Sequence, residues 1–283
     1  MKTFIETLYD GYWQGMTVDK VYFEQQTEHQ HLMIFHNAVL GRVMALDGVV
    51  QTTERDEFIY HEMLAHTPIL AHGRARKVLI VGGGDGGMLR EVVKHPDVES
   101  ITQVEIDQSV IDMSISHLPR HSDGAFDDPR VSIVIDDGLH FVRETSEMFD
   151  VIISDSTDPI GPGEVLFSQD FYAACRAKLG PNGVLVTQNG VVFLQPDEVR
   201  DSAKRLSGVF ADWHFFGAAV PTYIGGLMTF AWGSDDPGLR QIQADELSQR
   251  YRASGIATKY YNPELHAASF ALPQYVLQLI GKA

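Results

Sequence analysis

Cysteine is almost missing from this chain: 283 residues carry one, Cys175. A single thiol excludes an internal disulfide and a metal site of several thiolates, and it fits a reducing cytoplasm. No apolar run approaches the roughly 18 residues that a membrane span needs. The opening stretch "MKTFIETLYDGYW" has an acid and polar breaks where an export signal would carry an apolar core. Internal repeats and low-complexity segments are also lacking. Positive charge is scarce: 22 Lys and Arg face 38 Asp and Glu, a formal net charge of −16. Such a surface repels nucleic acid and anionic membranes and favours small cations if it favours any partner. Acidity alone is more often a solubility device, so the placement of the acids has to decide.

What is present falls into two parts. Residues 17–52 carry β-branched and aromatic residues in short alternating runs, and Asp47-Gly48 between "RVMAL" and "VVQTT" marks a hairpin. An N-terminal β-sheet domain is therefore expected over residues 1–53, with a connecting helix and linker over 54–76. Thr53 reads as the N-cap of that helix with Asp56 three residues on, and Pro68 sets its end near His66. From Lys77 to the end, apolar strands alternate with helices ("KVLIVGGGDGG", "SITQVEID", "VSIVIDDG", "FDVIISDSTD", "GVLVTQNG"). Strands that are apolar throughout imply a parallel sheet covered on both faces. "DWHFFGAAVP" and "GLMTFAWGS" suggest a closing antiparallel pair, and the last ~40 residues look helical. The expected class is α/β: a Rossmann-like, methyltransferase-type doubly wound sheet over residues 77–283 behind a small antiparallel β domain. Met16 and Cys175 read as packing residues.

In such sheets ligands bind beyond the carboxyl ends of the strands. Those ends read "GGGDGG", Glu105, Asp136-Asp137-Gly138, "DSTDP" and Gln188-Asn189. Four of the five carry carboxylates, which a merely solvated face does not require. Gly82 to Gly87 has the spacing of a nucleotide loop, a weak signal alone because dinucleotide and adenosylmethionine-type enzymes share it. Asp85 separates them, since a carboxylate there repels a pyrophosphate and attracts an ammonium or sulfonium. Glu105 suits ribose hydroxyls. Asp137 suits an exocyclic amine, with Gly138 letting a ring approach, or is simply a helix N-cap. Pro159 and Pro162-Gly163 delay the next helix, so Asp155 and Asp158 are expected together on a loop over the crevice. Paired carboxylates suit a metal, acid–base work on a sugar, or a polyamine; no His or further close ligand favours the metal.

Taken in order, "LDGVVQTTERDEFIYHEM", "VLIVGGGDGGMLREV", "VEID", "DDG", "DSTDPIGPGE" and "PTY" resemble spermidine synthase of the bacterial type, in the polyamine aminopropyltransferase family, over nearly the whole chain. The resemblance implies that decarboxylated S-adenosylmethionine donates an aminopropyl group to putrescine, giving spermidine and methylthioadenosine, with no metal and no cofactor beyond that co-substrate. It implies that Gln30, Gln51, Gly82, Gly84, Glu105, Asp137, Gly138 and Pro162 hold the nucleoside donor, and that Asp85 meets its aminopropyl chain. Asp155 would be the catalytic acid–base residue, and Tyr60, His61, Asp158, Gln188 and Tyr223 would line the polyamine site. A cytoplasmic homodimer or homotetramer is also implied. The alternatives are an adenosylmethionine-dependent methyltransferase, whose donor carboxylate an acidic pocket opposes, transfer to another diamine or polyamine, and a silent polyamine or nucleoside sensor. An NAD-dependent dehydrogenase ranks last because of Asp85.

Overall fold

The computed structural model describes residues 2–159 and 161–283, apart from the side chains of Thr7 and Pro162. Three sheets make up the β structure. Strands β1 (Lys2–Tyr9) and β2 (Tyr12–Val18) form an antiparallel hairpin, and β3 (Lys20–Gln26), β4 (His31–Asn37), β5 (Gly41–Leu46) and β6 (Val49–Thr53) form a four-stranded meander. The Asp47-Gly48 turn is a hairpin with both residues at positive φ, 49° and 80°. The first hairpin was not expected from the pattern of the residues, although Asp10-Gly11 is a turn signal of the same kind, with Gly11 at φ 74°.

The third sheet has seven strands in the order β12 (Asp212–Ala219), β13 (Leu227–Ser234), β11 (Leu179–Val191), β10 (Phe149–Asp155), β7 (Lys77–Gly82), β8 (Ser100–Glu105), β9 (Val131–Ile135). Strands β7 to β11 run parallel, β13 pairs antiparallel with β11, and β12 closes the edge antiparallel to β13. The order reverses between β7 and β10, where Gly82 pairs with Asp155. This topological switch point is where the crevice of a doubly wound sheet opens. Helices α1 (Glu57–His72), α2 (Gly87–Val93), α3 (Gln108–His117), α4 (Pro119–Ser122), α5 (Gly138–Glu144), α6 (Gln169–Lys178) and α7 (Pro196–Ser207) flank it. Four more, α8 (Pro237–Arg240), α9 (Ala244–Ser254), α10 (Pro263–Ser269) and α11 (Gln274–Leu279), make the C-terminal part helical as expected. Cys175 is fully buried in α6, and Met16 packs with Phe35 and Val43.

Helix α1 departs from its sequence reading at both ends. It starts at Glu57 rather than Glu54, because the Thr53 hydroxyl donates to Asp56 Oδ1 at 2.6 Å instead of capping the helix. It then runs through Pro68 to His72 and stops at Gly73 in the left-handed conformation. A proline in a helix interior costs about 3 kcal/mol. Here Met63, Leu64, Ile69 and Leu70 are all buried around it, and each such side chain contributes roughly 1.5–3 kcal/mol on leaving water. The proline is outweighed by the enclosure of the whole helix.

Candidate active site

The strand ends open into a cavity of about 410 Å³. Gly82, Gly84, Asp85, Glu105, Asp137, Gly138, Asp155, Asp158 and Gln188 line it from the large sheet. Tyr60 and His61 join them from α1, Tyr223 from the turn between β12 and β13, and Gln30 and Gln51 from the meander. Every residue that the sequence assigned to a ligand therefore lines one space, except Pro162, whose side chain lies outside the described residues. Among the described residues no group of three or more His, Cys, Asp or Glu is arranged to hold a metal.

The glycine loop is shaped by the protein's own acids as much as by any ligand. A Cβ on Gly82 would stand 2.1 Å from the Asp155 carbonyl oxygen, and one on Gly84 would stand 2.8 Å from Glu105 Oε2. Gly138 faces Val81, whose Cγ1 would be 2.4 Å from an added Cβ. Its lack of a side chain is thus required by packing, a reason different from the approach of a ring. Asp137 does cap α5, its Oδ1 accepting from His140 N at 2.8 Å. Asp155 is the last residue of β10, not a loop residue; only Asp158 lies on the loop beyond it.

Around Asp155 the groups are buried and mutually committed. Tyr60 donates to Asp155 Oδ1 at 2.7 Å. His61 donates through Nδ1 to Glu57 Oε2 at 2.6 Å, and its Nε2 pairs with Asp85 Oδ2 at 3.6 Å. Arg90 reaches Glu57 at 2.7 Å. Burial opposes the charged form of His61, but Asp85 and Glu57 outweigh it and hold the pKa up at about 9. Burial also opposes ionisation of Glu57, which His61 and Arg90 nonetheless hold at about 2. Asp155 goes the other way. Burial raises it to about 6, with Asp85 adding to the rise and His61 and the Tyr60 hydroxyl restraining it.

Asp158 has different company. Gln195 donates to its Oδ1 at 2.7 Å, and Glu6, Tyr9 and Gln195 line the cavity beside it. Burial raises Asp158, and burial together with the Asp158 charge raises Glu198 to about 8. Glu6 is raised by burial, against hydrogen bonds from Val50 N and Gln14. None of Glu6, Tyr9, Gln195 or Glu198 stood out in the sequence; the Asp10-Gly11 turn was the signal that could have placed the first two.

At the third part of the cavity, burial raises Glu105 to about 7, although the Asp107, Ile106 and Gly84 amides favour its ionised form. Gln30 donates to Asp107 Oδ2 at 3.3 Å, joining the meander to the large sheet. The side chain of Gln51 donates to Val49 O, and the main-chain carbonyl of Gln51 accepts from the Tyr223 hydroxyl at 2.5 Å. Gln188 bridges Thr157 O and Gly190 N.

Comparison with known proteins meets this geometry directly. Residues 57–243 match the spermine/spermidine synthase domain, and residues 3–54 match the spermidine synthase tetramerisation domain. The chain belongs to the spermidine synthase family. It is 67% identical to polyamine aminopropyltransferase 1 of Pseudomonas aeruginosa over 282 residues, covering 100% of this chain and 99% of that one. A polyamine aminopropyltransferase of Pseudomonas syringae is 62% identical over 283 residues, with 100% and 99% covered. Among solved structures, a spermidine synthase in complex with the transition-state analogue AdoDATO superposes with a TM-score of 0.94 at 39% identity, covering 100% of this chain and 96% of that one. Spermidine synthase from Thermotoga maritima gives 0.91 at 38% identity, with 100% and 95% covered.

This protein is accordingly a polyamine aminopropyltransferase, with the antiparallel β region and mixed seven-stranded sheet of spermidine synthase structures. For such an enzyme the acid clusters take on meaning: the Asp155 group is balanced by His61 and Arg90, whereas the Asp158 group carries acids without a cation among the described residues. Among the described residues no helix is long and apolar enough to cross a membrane.

Proposed function

We propose that the enzyme is a spermidine synthase that transfers the aminopropyl group of decarboxylated S-adenosylmethionine to putrescine, releasing spermidine and methylthioadenosine. The observation that carries the reading is the pair Asp155 and Asp158 in one cavity, each held by its own neutral donor, Tyr60 and Gln195. A diamine presents two ammonium groups on an apolar tether, and two separately held acids complement it. The occurrence of AdoDATO in the spermidine synthase of 39% identity supports the same reading. In this assignment Glu105 accepts from ribose hydroxyls and Asp137 from the adenine amine. Gln30, Gln51, Gly82, Gly84, Gly138 and Pro162 complete the nucleoside pocket. Asp85 meets the donor's ammonium, while Asp158, Tyr60, His61, Gln188 and Tyr223 hold the polyamine.

The donor carbon next to a sulfonium is already activated, so the step is an in-line attack by a neutral amine. The new C–N bond forms as the C–S bond breaks, its electron pair stays on sulfur, and methylthioadenosine leaves uncharged. Positive charge passes from sulfur to nitrogen, and preset carboxylates stabilise both ends of that transfer. An alkylamine has a pKa near 10.4, so freeing its lone pair at pH 7 costs about 4–5 kcal/mol. Asp155 at about 6 is a better-matched proton acceptor than an ordinary Asp at about 3.9. It orients the amine and takes its proton late or relays it to water.

The reading extends to a β-sheet unit over residues 1–53, a connecting helix and linker over 54–76 and a catalytic unit over 77–283, working in the cytoplasm as two or four copies. The exposed Ile5, Tyr12 and Trp13 of the first hairpin support such association. Incubation with decarboxylated S-adenosylmethionine and putrescine, followed by chromatography, should yield spermidine and methylthioadenosine in equal amounts. Methyl transfer from S-adenosylmethionine without triamine formation would overturn the assignment.

A further inference from the structure

Gln195 stands at the N-cap position of α7, directly before Pro196, and its amide is used to capacity. Nε2 donates to Asp158 Oδ1 at 2.7 Å and to Glu198 Oε2 at 3.2 Å. Oε1 accepts from the Tyr9 hydroxyl at 3.1 Å and from Val191 N at 2.8 Å. A side-chain amide has two N–H donors and two acceptor lone pairs, so all four are spent on the protein. The bonds join four elements: the first hairpin, the loop after β10, the end of β11 and α7. Gly190 makes room for the arrangement, since a Cβ there would stand 2.7 Å from Gln195 Oε1.

Among the described residues Asp158 has no other side-chain hydrogen bond, and it sits on a loop of Ser, Thr and Pro. Glu198 does not line the cavity but lies behind Gln195, within reach of the Asp158 charge. Without the shared Nε2 the two acids would face each other with nothing between them, and the Asp158 carboxylate would be free to swing. Asp155, by contrast, is held on a strand by Tyr60 of the enclosed helix α1.

We propose that Gln195 is a positioning residue that fixes Asp158 relative to Asp155, so that the separation of the two carboxylates selects acceptors by the distance between their amines. Contact with one methylene in an apolar pocket discriminates weakly, by about 10–200-fold. A charged end point held at a set position adds to that, because an acceptor of the wrong length must leave one ammonium unpaired.

The inference rests on the acceptor being a diamine or polyamine, as proposed above. The test measures kcat and KM with 1,3-diaminopropane, putrescine, cadaverine and spermidine for the wild type, Gln195→Met and Tyr9→Phe. Melting temperature and methylthioadenosine affinity are recorded for each. Methionine keeps the length of glutamine without its amide. Gln195→Met should raise the KM of the best acceptor about tenfold with a much smaller fall in kcat, and should compress the ratio of kcat/KM between best and next-longer acceptor about fivefold. Tyr9→Phe removes one of the four bonds and should move both readouts in the same direction by about threefold or less. Methylthioadenosine affinity should stay within about twofold for both.

A Gln195→Met enzyme that loses stability and turnover but keeps the wild-type ranking and ratios among acceptors has lost only a structural residue, and overturns the inference. If Gln195→Met does not fold, Tyr9→Phe decides: compression supports the proposal and an unchanged profile overturns it. A wild type that accepts none of the amines sinks the substrate reading and this inference together. A wild type that accepts one while both variants retain its profile sinks the inference alone.

Discussion

Around Asp155 the carboxylates have cations beside them: His61 stands between Glu57 and Asp85, and Arg90 reaches Glu57. Around Asp158 the neighbours are Glu6, Tyr9, Gln195 and Glu198, with neutral donors but no cation among the groups that shift its pKa. The first cluster is close to electrically complete before any substrate arrives. The second is not: burial raises its acids as it raises Asp155, but no cation restrains the rise as His61 does there. A buried carboxylate without a partner costs several kcal/mol unless it takes a proton or a cation. In the proposed assignment the protein supplies the counter-charge where bonds are made and broken, and leaves it to the ligand where the acceptor is anchored.

Breaking the Asp155 side should have the largest effect. Asp155→Asn keeps the shape and removes the carboxylate, and a positioned acid–base group is worth about 10²–10⁴ in rate. Turnover at saturating putrescine should fall about 10³-fold while methylthioadenosine affinity changes little. Loss of diamine affinity alone would show that the two acids do not differ in role.

Raising the pH sharpens the same point. If amine ionisation limits the step, the rate should climb between pH 7 and 9, approaching tenfold per pH unit at its steepest. A flat profile with chemistry shown to be rate-limiting would contradict this account.

The nucleoside side provides a control on both clusters. Glu105→Gln should weaken methylthioadenosine about tenfold, an ordinary value for a hydrogen bond to a charged group. Because burial holds Glu105 at about 7, a ligand that donates to its ionised form must expel a proton below that pH. Wild-type affinity should therefore weaken from pH 8 to pH 6, and the Gln variant should show no such slope. Calorimetry over that range checks it.

The smallest expected effect is on stability. His61 binds its proton more tightly folded, at about 9, than unfolded, at 6.5. Its contribution is therefore fully present below pH 6.5 and disappears as the pH rises through 9. Wild-type melting temperature should drop across that window by a few degrees, and His61→Gln should flatten the drop. An equal drop in both would mean that His61 is not the group titrating.

Much of this was legible beforehand because a parallel sheet imposes its own grammar. Apolar strands announced themselves in "KVLIVG" and "DVIISD", and the residues after them had to gather at one edge of the sheet. That is why Asp85, Glu105, Asp137 and Asp155 were found without knowing any distance. Pro68 misled because a local rule ends helices there, while burial around α1 overrides it. Gly138 has a second reason that its own neighbours in the chain do not show, the close approach of Val81 on β7.

What the sequence determined by itself is the order of strands and helices and the acids at the strand ends, since both depend on periodicity and on residues next to each other in the chain. The tertiary structure alone decided the company each acid keeps. Tyr9 meets Gln195 across 186 positions and Tyr60 meets Asp155 across 95. Whether a carboxylate lies beside an imidazolium or another acid is settled by packing, which brings together residues whose spacing in the chain carries no trace of the contact.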